Sequence, residues 1–198
     1  MPAGKLIEFW YDFASTYSYP AAMRVEALAA KLNRRVLWRP FVLGVIFEKQ
    51  GWDDSPFNIY PAKGNYMWRD LGRLCAGVPI PFRKPSRFPR NGLPAARIVC
   101  ANEGAAWIGE FTRKVYTANF AHDLDIAKRE VLCGCLDNLV ADPAALFEAA
   151  QGRDAKVRLR ANTERAMALG IFGAPSFIVG DELFWGNDRL ETALAWPS

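Results

Sequence analysis

Four hydroxyl-bearing residues stand in a row at Ser15, Thr16, Tyr17 and Ser18, just past an apolar and aromatic run from Leu6 to Tyr11 and the acid Asp12. The run carries one charge, Glu8, and has the character of a strand covered on both faces. The spacing of Tyr19, Ala22, Met23, Ala27 and Ala30 then predicts an amphipathic helix. Ser15 therefore falls near a helix N-terminus, where a hydroxyl can do one of two things. It can cap the helix by accepting a backbone N–H. It can also donate to an anion, whether phosphate, carboxylate or thiolate, drawn there by unpaired N–H groups and the positive end of the helix dipole. The residues alone leave both roles open for Ser15, and capping open for Ser18.

Other candidates for chemistry are weaker. The four cysteines, Cys75, Cys100, Cys133 and Cys135, are too few and too scattered for a disulfide framework in 198 residues. Three of them fall at apolar positions of expected helices, where free cysteine packs as a small hydrophobe. Cys133 and Cys135 could in principle hold a metal or a redox bridge. With a single histidine, His122, and helical positions that point to different faces, they suggest a structural pair and no metal site. Arg83, Lys84, Arg87 and Arg90 form the densest basic stretch, and Pro85 and Pro89 hold it out of a helix. A solvated loop is one reading; an arginine that meets a substrate carboxylate is the other.

The elements that must position these groups follow from pattern. Arg35 to Phe41 is a second strand candidate, so strand, helix and strand form a βαβ unit with a right-handed crossover between parallel strands. From Gly44 to Gln151 the spacing is helical. One face is Met67, Leu71, Leu74, Cys75 and Val78, and another is Leu93, Ala96, Cys100 and Trp107. Asp142 followed by Pro143 opens a helix in the expected order. Asp154 to Leu169 is a further helix that Gly170 terminates. Ser176 to Val179 and Glu182 to Trp185 are two short strands across the Gly180-Asp181 turn, and a last short helix spans Arg189 to Ala195. Because both chain ends carry strands, one sheet built from both is expected.

Composition narrows the class. With 51% hydrophobic and 23% charged residues the chain can bury a sizeable core, and a net charge of +4 is too mild to argue for nucleic acid. No signal-peptide pattern and no apolar run of about 20 residues is present, so neither export nor a membrane span is expected and the default location is cytoplasmic.

That layout resembles a thioredoxin-like α/β fold: a βαβ…αββα sheet domain from residues 1–43 and 152–198, with an all-helical insertion domain at 44–151. The motifs Y-D-F-A-S-T-Y-S-Y (Tyr11 to Tyr19), R-P-F-V-L-G (Arg39 to Gly44), P-A-K-G-N-Y (Pro61 to Tyr66), G-I-F-G-A-P-S-F (Gly170 to Phe177) and F-W-G-N-D-R-L (Phe184 to Leu190) go further. In order and over nearly the whole chain, they resemble the 2-hydroxychromene-2-carboxylate isomerases and their relatives, the kappa-class glutathione transferases. Thiol-disulfide oxidoreductases of this fold carry C-x-x-C at the strand-to-helix turn. Here that stretch is Ser15-Thr16-Tyr17-Ser18, with no thiolate to attack a disulfide.

The resemblance implies glutathione as cofactor and Ser15 as the catalytic residue that activates its thiol. It implies Lys63 at a glutathione carboxylate and Ala174 presenting N–H and C=O to the peptide beside Pro175, which matches a cis-proline of the fold; a solvated loop lysine and an ordinary loop before a strand are their other readings. Asn187 and Asp188 would grip the γ-glutamyl end, with Asp188 opposite the amino group; capping the last helix is their other reading. The implied activity is glutathione-dependent cis-trans isomerisation of a small aromatic 2-oxo acid, of the 2-hydroxychromene-2-carboxylate to trans-o-hydroxybenzylidenepyruvate type, as in aromatic degradation. The alternatives are a kappa-like transferase and a non-catalytic glutathione- or peptide-binding protein. A homodimer is implied too. Two departures stand out: Thr16 replaces the usual proline, and Trp52 stands in Gly51-Trp52-Asp53, where relatives commonly show an asparagine that touches the ligand. Arg83, Arg87 and Arg90 are candidates for the substrate carboxylate, and Phe47, Trp52, Tyr66, Trp68 and Phe88 for the pocket walls.

Overall fold

A computed structural model of the chain describes residues 5–197; Met1 to Gly4 of the expected first segment and Ser198 of the last lie outside them. Strand β1 (Lys5–Tyr11) leads through a short turn into helix α1 (Ser18–Lys31), and the chain returns as β2 (Arg34–Pro40). β1 and β2 are parallel, as a βαβ unit requires, with Phe9 opposite Trp38. Eight helices then follow before the next strand: α2 (Leu43–Lys49), α3 (Pro56–Ile59), α4 (Pro61–Gly77), α5 (Leu93–Ala101), α6 (Ile108–Phe120), α7 (Arg129–Leu136), α8 (Pro143–Ala150) and α9 (Arg153–Ala168). β3 (Ser176–Val179), β4 (Glu182–Trp185), a 3-10 turn at Asn187–Arg189 and α10 (Leu190–Ala195) complete the chain.

The four strands form one sheet in the order β2-β1-β3-β4, with β3 antiparallel to both of its neighbours. The two ends of the chain thus build a single sheet, and β1 is central. Its alternation decides what each face buries. Ile7, Phe9 and Tyr11 join a large core with α1, α5, α6 and α7, while Trp10 points the other way into a smaller core with Phe41, Ile46, Ala166, Ile171 and Ile178. Glu8 shares the second face at its edge, where Arg165 pairs with it at 2.8 Å and the Trp10 indole donates to it at 3.0 Å. The large core is continuous from the sheet into the helical block. Phe9 stacks on Phe177, Tyr19 stacks on Phe120, and the Tyr11 hydroxyl meets the Thr112 hydroxyl at 3.1 Å.

Local chemistry accounts for some of the boundaries. Asp142 accepts from the Ala145 N–H at 2.9 Å with Pro143 in the first turn, and Ser55 with Pro56 starts α3 in the same way. The turn between β3 and β4 relies on Gly180, whose φ of 60° suits a residue without Cβ. Two spacings expected from sequence are corrected. The buried face of α1 runs through Tyr19, Ala22, Val25 and Ala29, leaving Ala27 and Ala30 exposed, because the sheet lies to the other side of that stripe. Trp107 is not on one helical face with Leu93, Ala96 and Cys100, since the turn at 102–105 separates α5 from α6.

Candidate functional site

The turn after β1 is held from several directions. The Asp12 carboxylate accepts from the N–H groups of Ala14 at 2.7 Å and Leu43 at 2.9 Å, tying the turn to the start of α2. Burial pushes this carboxyl up, against the pull of both N–H groups. The Asp12 carbonyl in turn accepts from the Ser15 N–H at 2.9 Å and from the buried Tyr116 hydroxyl at 2.7 Å. Ser15 is thereby fixed by backbone, leaving its hydroxyl to act. Ser15 Oγ donates to the carbonyl of Ala174 at 3.0 Å and accepts a long bond from the Ser18 N–H at 3.4 Å. Both sequence readings of Ser15 thus have a counterpart: a weak cap, and a hydroxyl aimed across the site. Thr16, where the resembling families have proline, is buried, and its carbonyl accepts from the Tyr19 N–H at 3.2 Å.

Ala174 precedes Pro175 in a cis peptide bond. Pro175 is buried behind it, and its carbonyl accepts from the Gly186 N–H at 2.9 Å, which links the Ala174 loop to the approach of the last helix. Among the described residues the Ala174 N–H has no acceptor. Ala174 itself is half-buried and lines a cavity, and a backbone donor left over beside a cavity suits an extended peptide ligand.

That cavity measures about 970 Å³ and is lined by Ser15, Lys63 and Ala174 among others. Lys63 stands in the first turn of α4 with its ammonium 4.7 Å from the Tyr60 ring centroid. The next residue, Gly64, carries α4 against α3, because a Cβ there would overlap the Phe57 carbonyl. Tyr17 lines the same wall, its hydroxyl donating to Asp70 at 3.0 Å; burial and that carboxylate push the phenol up, so it stays protonated near neutrality. Phe47, Trp52 and Phe88 line the cavity as expected. Trp52 packs edge-on against Phe47 with centroids 5.4 Å apart. Tyr66 and Trp68 do not line it: Tyr66 is exposed on α4, and Trp68 stands behind Phe88.

The arginine expectation is also corrected. Arg83 pairs with Asp123 at 3.8 Å, and neither Arg83 nor Arg87 reaches the cavity. Arg90 touches its wall but is buried and engaged, donating to Asp123, to Asn119 Oδ1 at 3.2 Å and to the Leu124 carbonyl at 2.9 Å. A guanidinium so fully bonded anchors the proline-held loop to the end of α6. Lys63 is left as the cavity-lining cation without such a network, beside the carboxylates of Asp12, Glu48, Asp53 and Asp54.

Asn187 and Asp188 lie outside this cavity. They line a neighbouring depression of about 400 Å³ with Arg24, Arg73 and Glu191. Asn187 Oδ1 accepts from Arg24 at 2.9 Å, and exposed Asp188 pairs with Arg189 at 3.3 Å. Two aromatic residues that sequence reasoning missed do border the main cavity: Phe172 and Trp185, with ring centroids 4.8 Å apart. An exposed tryptophan at the end of an edge strand was the available signal, legible only once the strand's register is known.

The protein's own thiols do not serve this site. Cys75, Cys100 and Cys135 are buried, and burial pushes them up to about 11, about 12 and about 11. The fold and the turn together define a thioredoxin-fold protein in which serine occupies the place where redox members carry cysteine. Comparison with known proteins makes this specific: the chain belongs to the DSBA-like thioredoxin domain family, whose pattern matches residues 6–195. It is 28% identical over 188 residues to a 2-hydroxychromene-2-carboxylate isomerase of Sphingobium xenophagum, covering 94% of this chain and 95% of that protein. It is 25% identical over 204 residues to glutathione S-transferase kappa 2 of Caenorhabditis elegans, covering 96% and 90%. A solved 2-hydroxychromene-2-carboxylate isomerase shares the fold with a TM-score of 0.83 at 24% identity, over 94% of this chain and 91% of that one. No helix among the described residues is long and apolar enough to cross a membrane.

Proposed function

We propose that the protein is a glutathione-dependent isomerase of aryl-conjugated 2-oxo acids. The observation that carries this reading is the Ser15 hydroxyl at a cavity wall, bonded to Ala174 at 3.0 Å with no protein thiol to compete. The names of the relatives point the same way. What supports a tripeptide is a partnerless N–H at Ala174 and a cation at Lys63 on the cavity, with the carboxylate of Asp188 in a separate depression, two residues beyond the Gly186 N–H that bonds Pro175.

When bound, glutathione supplies a thiolate that adds reversibly to the conjugated double bond, so that rotation and expulsion give the other isomer and return the thiol unchanged. Ser15 has one proton to place. It stays on Oγ and points at the Ala174 carbonyl; turning the hydroxyl would exchange that bond for one to a sulfur anion, while the Ser18 N–H holds the oxygen in position. A free thiol titrates near 8.5, and moving it to about 6.5 corresponds to about 2.7 kcal/mol, a size that a hydroxyl bond plus a helix start can supply. Lys63 and Asp188 hold the tripeptide's charges, and the aromatic walls exclude water from the adduct. The experiment follows the ultraviolet spectrum of a cis aryl 2-oxo acid at catalytic glutathione while free thiol is titrated. Isomerisation with full recovery of thiol is expected; no spectral change would refute the proposal.

One observation favours a second reading, a kappa-like transferase. The cavity is lined by four carboxylates and, beyond the engaged Arg90, a single lysine. If glutathione takes Lys63, an uncharged electrophile meets less repulsion than an acid. Stoichiometric loss of thiol with an uncharged aryl enone, and none of the isomerisation, would move the protein to that class.

A further inference from the structure

Large aromatic side chains that stay half exposed beside one another leave apolar surface for something to cover. Phe172 is 45% exposed and Trp185 is 52% exposed, and their rings touch. They come from different elements, the loop before β3 and the end of β4, so no local sequence pairing explains the contact. Trp185 also has a fixed seat: a Cβ at Gly173 would strike its indole nitrogen, so the ring lies directly on the Gly173 backbone. The next residue, Ala174, is the one whose carbonyl accepts the hydrogen bond from the Ser15 hydroxyl. The aromatic pair therefore sits one residue from Ser15's partner, on the cavity that Ser15 lines.

We infer that Trp185, braced by Phe172 and seated on Gly173, is the platform against which the substrate's flat ring stacks, and that it selects aromatic over saturated substrates. This rests on reading the cavity as the substrate site. The indole offers its face to a planar π-system, where offset or edge-on contact adds to simple burial. A saturated ring of similar size fills the same space without that geometry. Trp185 is a specificity-determining residue, distinct from the polar groups assigned to glutathione.

The test reads binding, so it does not depend on turnover. Calorimetry compares 3-phenylpropanoate with 3-cyclohexylpropanoate, two unreactive acids that differ only in the ring. The wild type is expected to bind the phenyl acid about five- to tenfold more tightly, the order of an aromatic contact beyond the buried area that the two rings share. Trp185→Ala should bring the ratio to about one, and Trp185→Phe should keep it within about threefold of the wild type, because the phenyl face remains. Glutathione affinity should be the same in all three proteins. A wild-type ratio of about one, no binding of either acid, a ratio that survives Trp185→Ala, or a loss of glutathione affinity that parallels the loss of the ring probe would each overturn the platform. Failure of the isomerase reading looks different: the ring preference and its loss in Trp185→Ala persist while no 2-oxo acid is turned over.

Discussion

The hydroxyl of Ser15 donates to the carbonyl of Ala174 at 3.0 Å, joining residues 159 positions apart. One belongs to the turn after the first strand and the other to the loop before the third, and β1 pairs with β3 so that both loops open at the same end of the sheet. The hydroxyl proposed to stabilise a thiolate therefore donates, at rest, to a backbone oxygen at the point where a peptide ligand would be read.

Ser15→Ala should retain the fold, losing about 0.5–2 kcal/mol at most, because only the 3.4 Å bond from Ser18 acts as a cap. Turnover per folded molecule should fall about a hundredfold, the order for deleting one donor to a developing or resident anion. Stopped-flow spectra and a thermal melt separate the two effects; unchanged turnover would remove Ser15 from the chemistry.

Ser15→Cys reports on the electrostatics of the turn without any cofactor. Lying just before α1, the new thiol should titrate below the usual value of about 8.5. The rate of alkylation by iodoacetamide against pH, followed on the peptide that carries position 15 so that half-buried Cys133 is kept apart, gives the value; the buried cysteines Cys75, Cys100 and Cys135 are pushed upward and react slowly. A value at or above that of a free thiol would show that the helix start contributes nothing to anion stabilisation.

Asp188→Asn should weaken glutathione binding while leaving stability almost unchanged, because the side chain is exposed and its one ion pair among the described residues is with neighbouring Arg189. About three- to tenfold in Kd is expected, below the 1.5–3 kcal/mol range of a fully desolvated charged bond. Calorimetry giving equal affinities would restrict Asp188 to the start of the final helix.

Acid should act through Asp123. The Ser86 N–H, then Arg90 and the Ser86 hydroxyl, lower its carboxyl from 3.8 to about 2. A carboxyl depressed in the folded state stabilises the protein above its unfolded value and loses that contribution as pH falls through the folded one. The melting temperature of the wild type should therefore drop between about pH 4 and pH 2, and Asp123→Asn should start lower and lose less over that window. Parallel acid limbs in the two proteins would show that Asp123 does not govern this range.

Sequence by itself determined the four strands, the helices beside them and the helical character of residues 44–151, but not the number or bounds of the helices in that block. Strand and helix periods, the Asp142-Pro143 start, the Gly180 turn and the row of hydroxyls at 15–18 act over a few residues, where backbone preference and side-chain alternation suffice. It also showed that the motif turn carries no cysteine, and the motif order was enough to point to the family. Tertiary structure alone decided what those residues touch. It made Arg90 a loop anchor by placing Asp123 and Asn119 around it, and it left Lys63 as the cavity's cation outside that network. It put Asn187 and Asp188 in a depression beside the main cavity, and it brought Phe172 to Trp185. These pairings join segments far apart in the chain, and their geometry is fixed by how the sheet and helices pack, a collective result that no local pattern of residues carries.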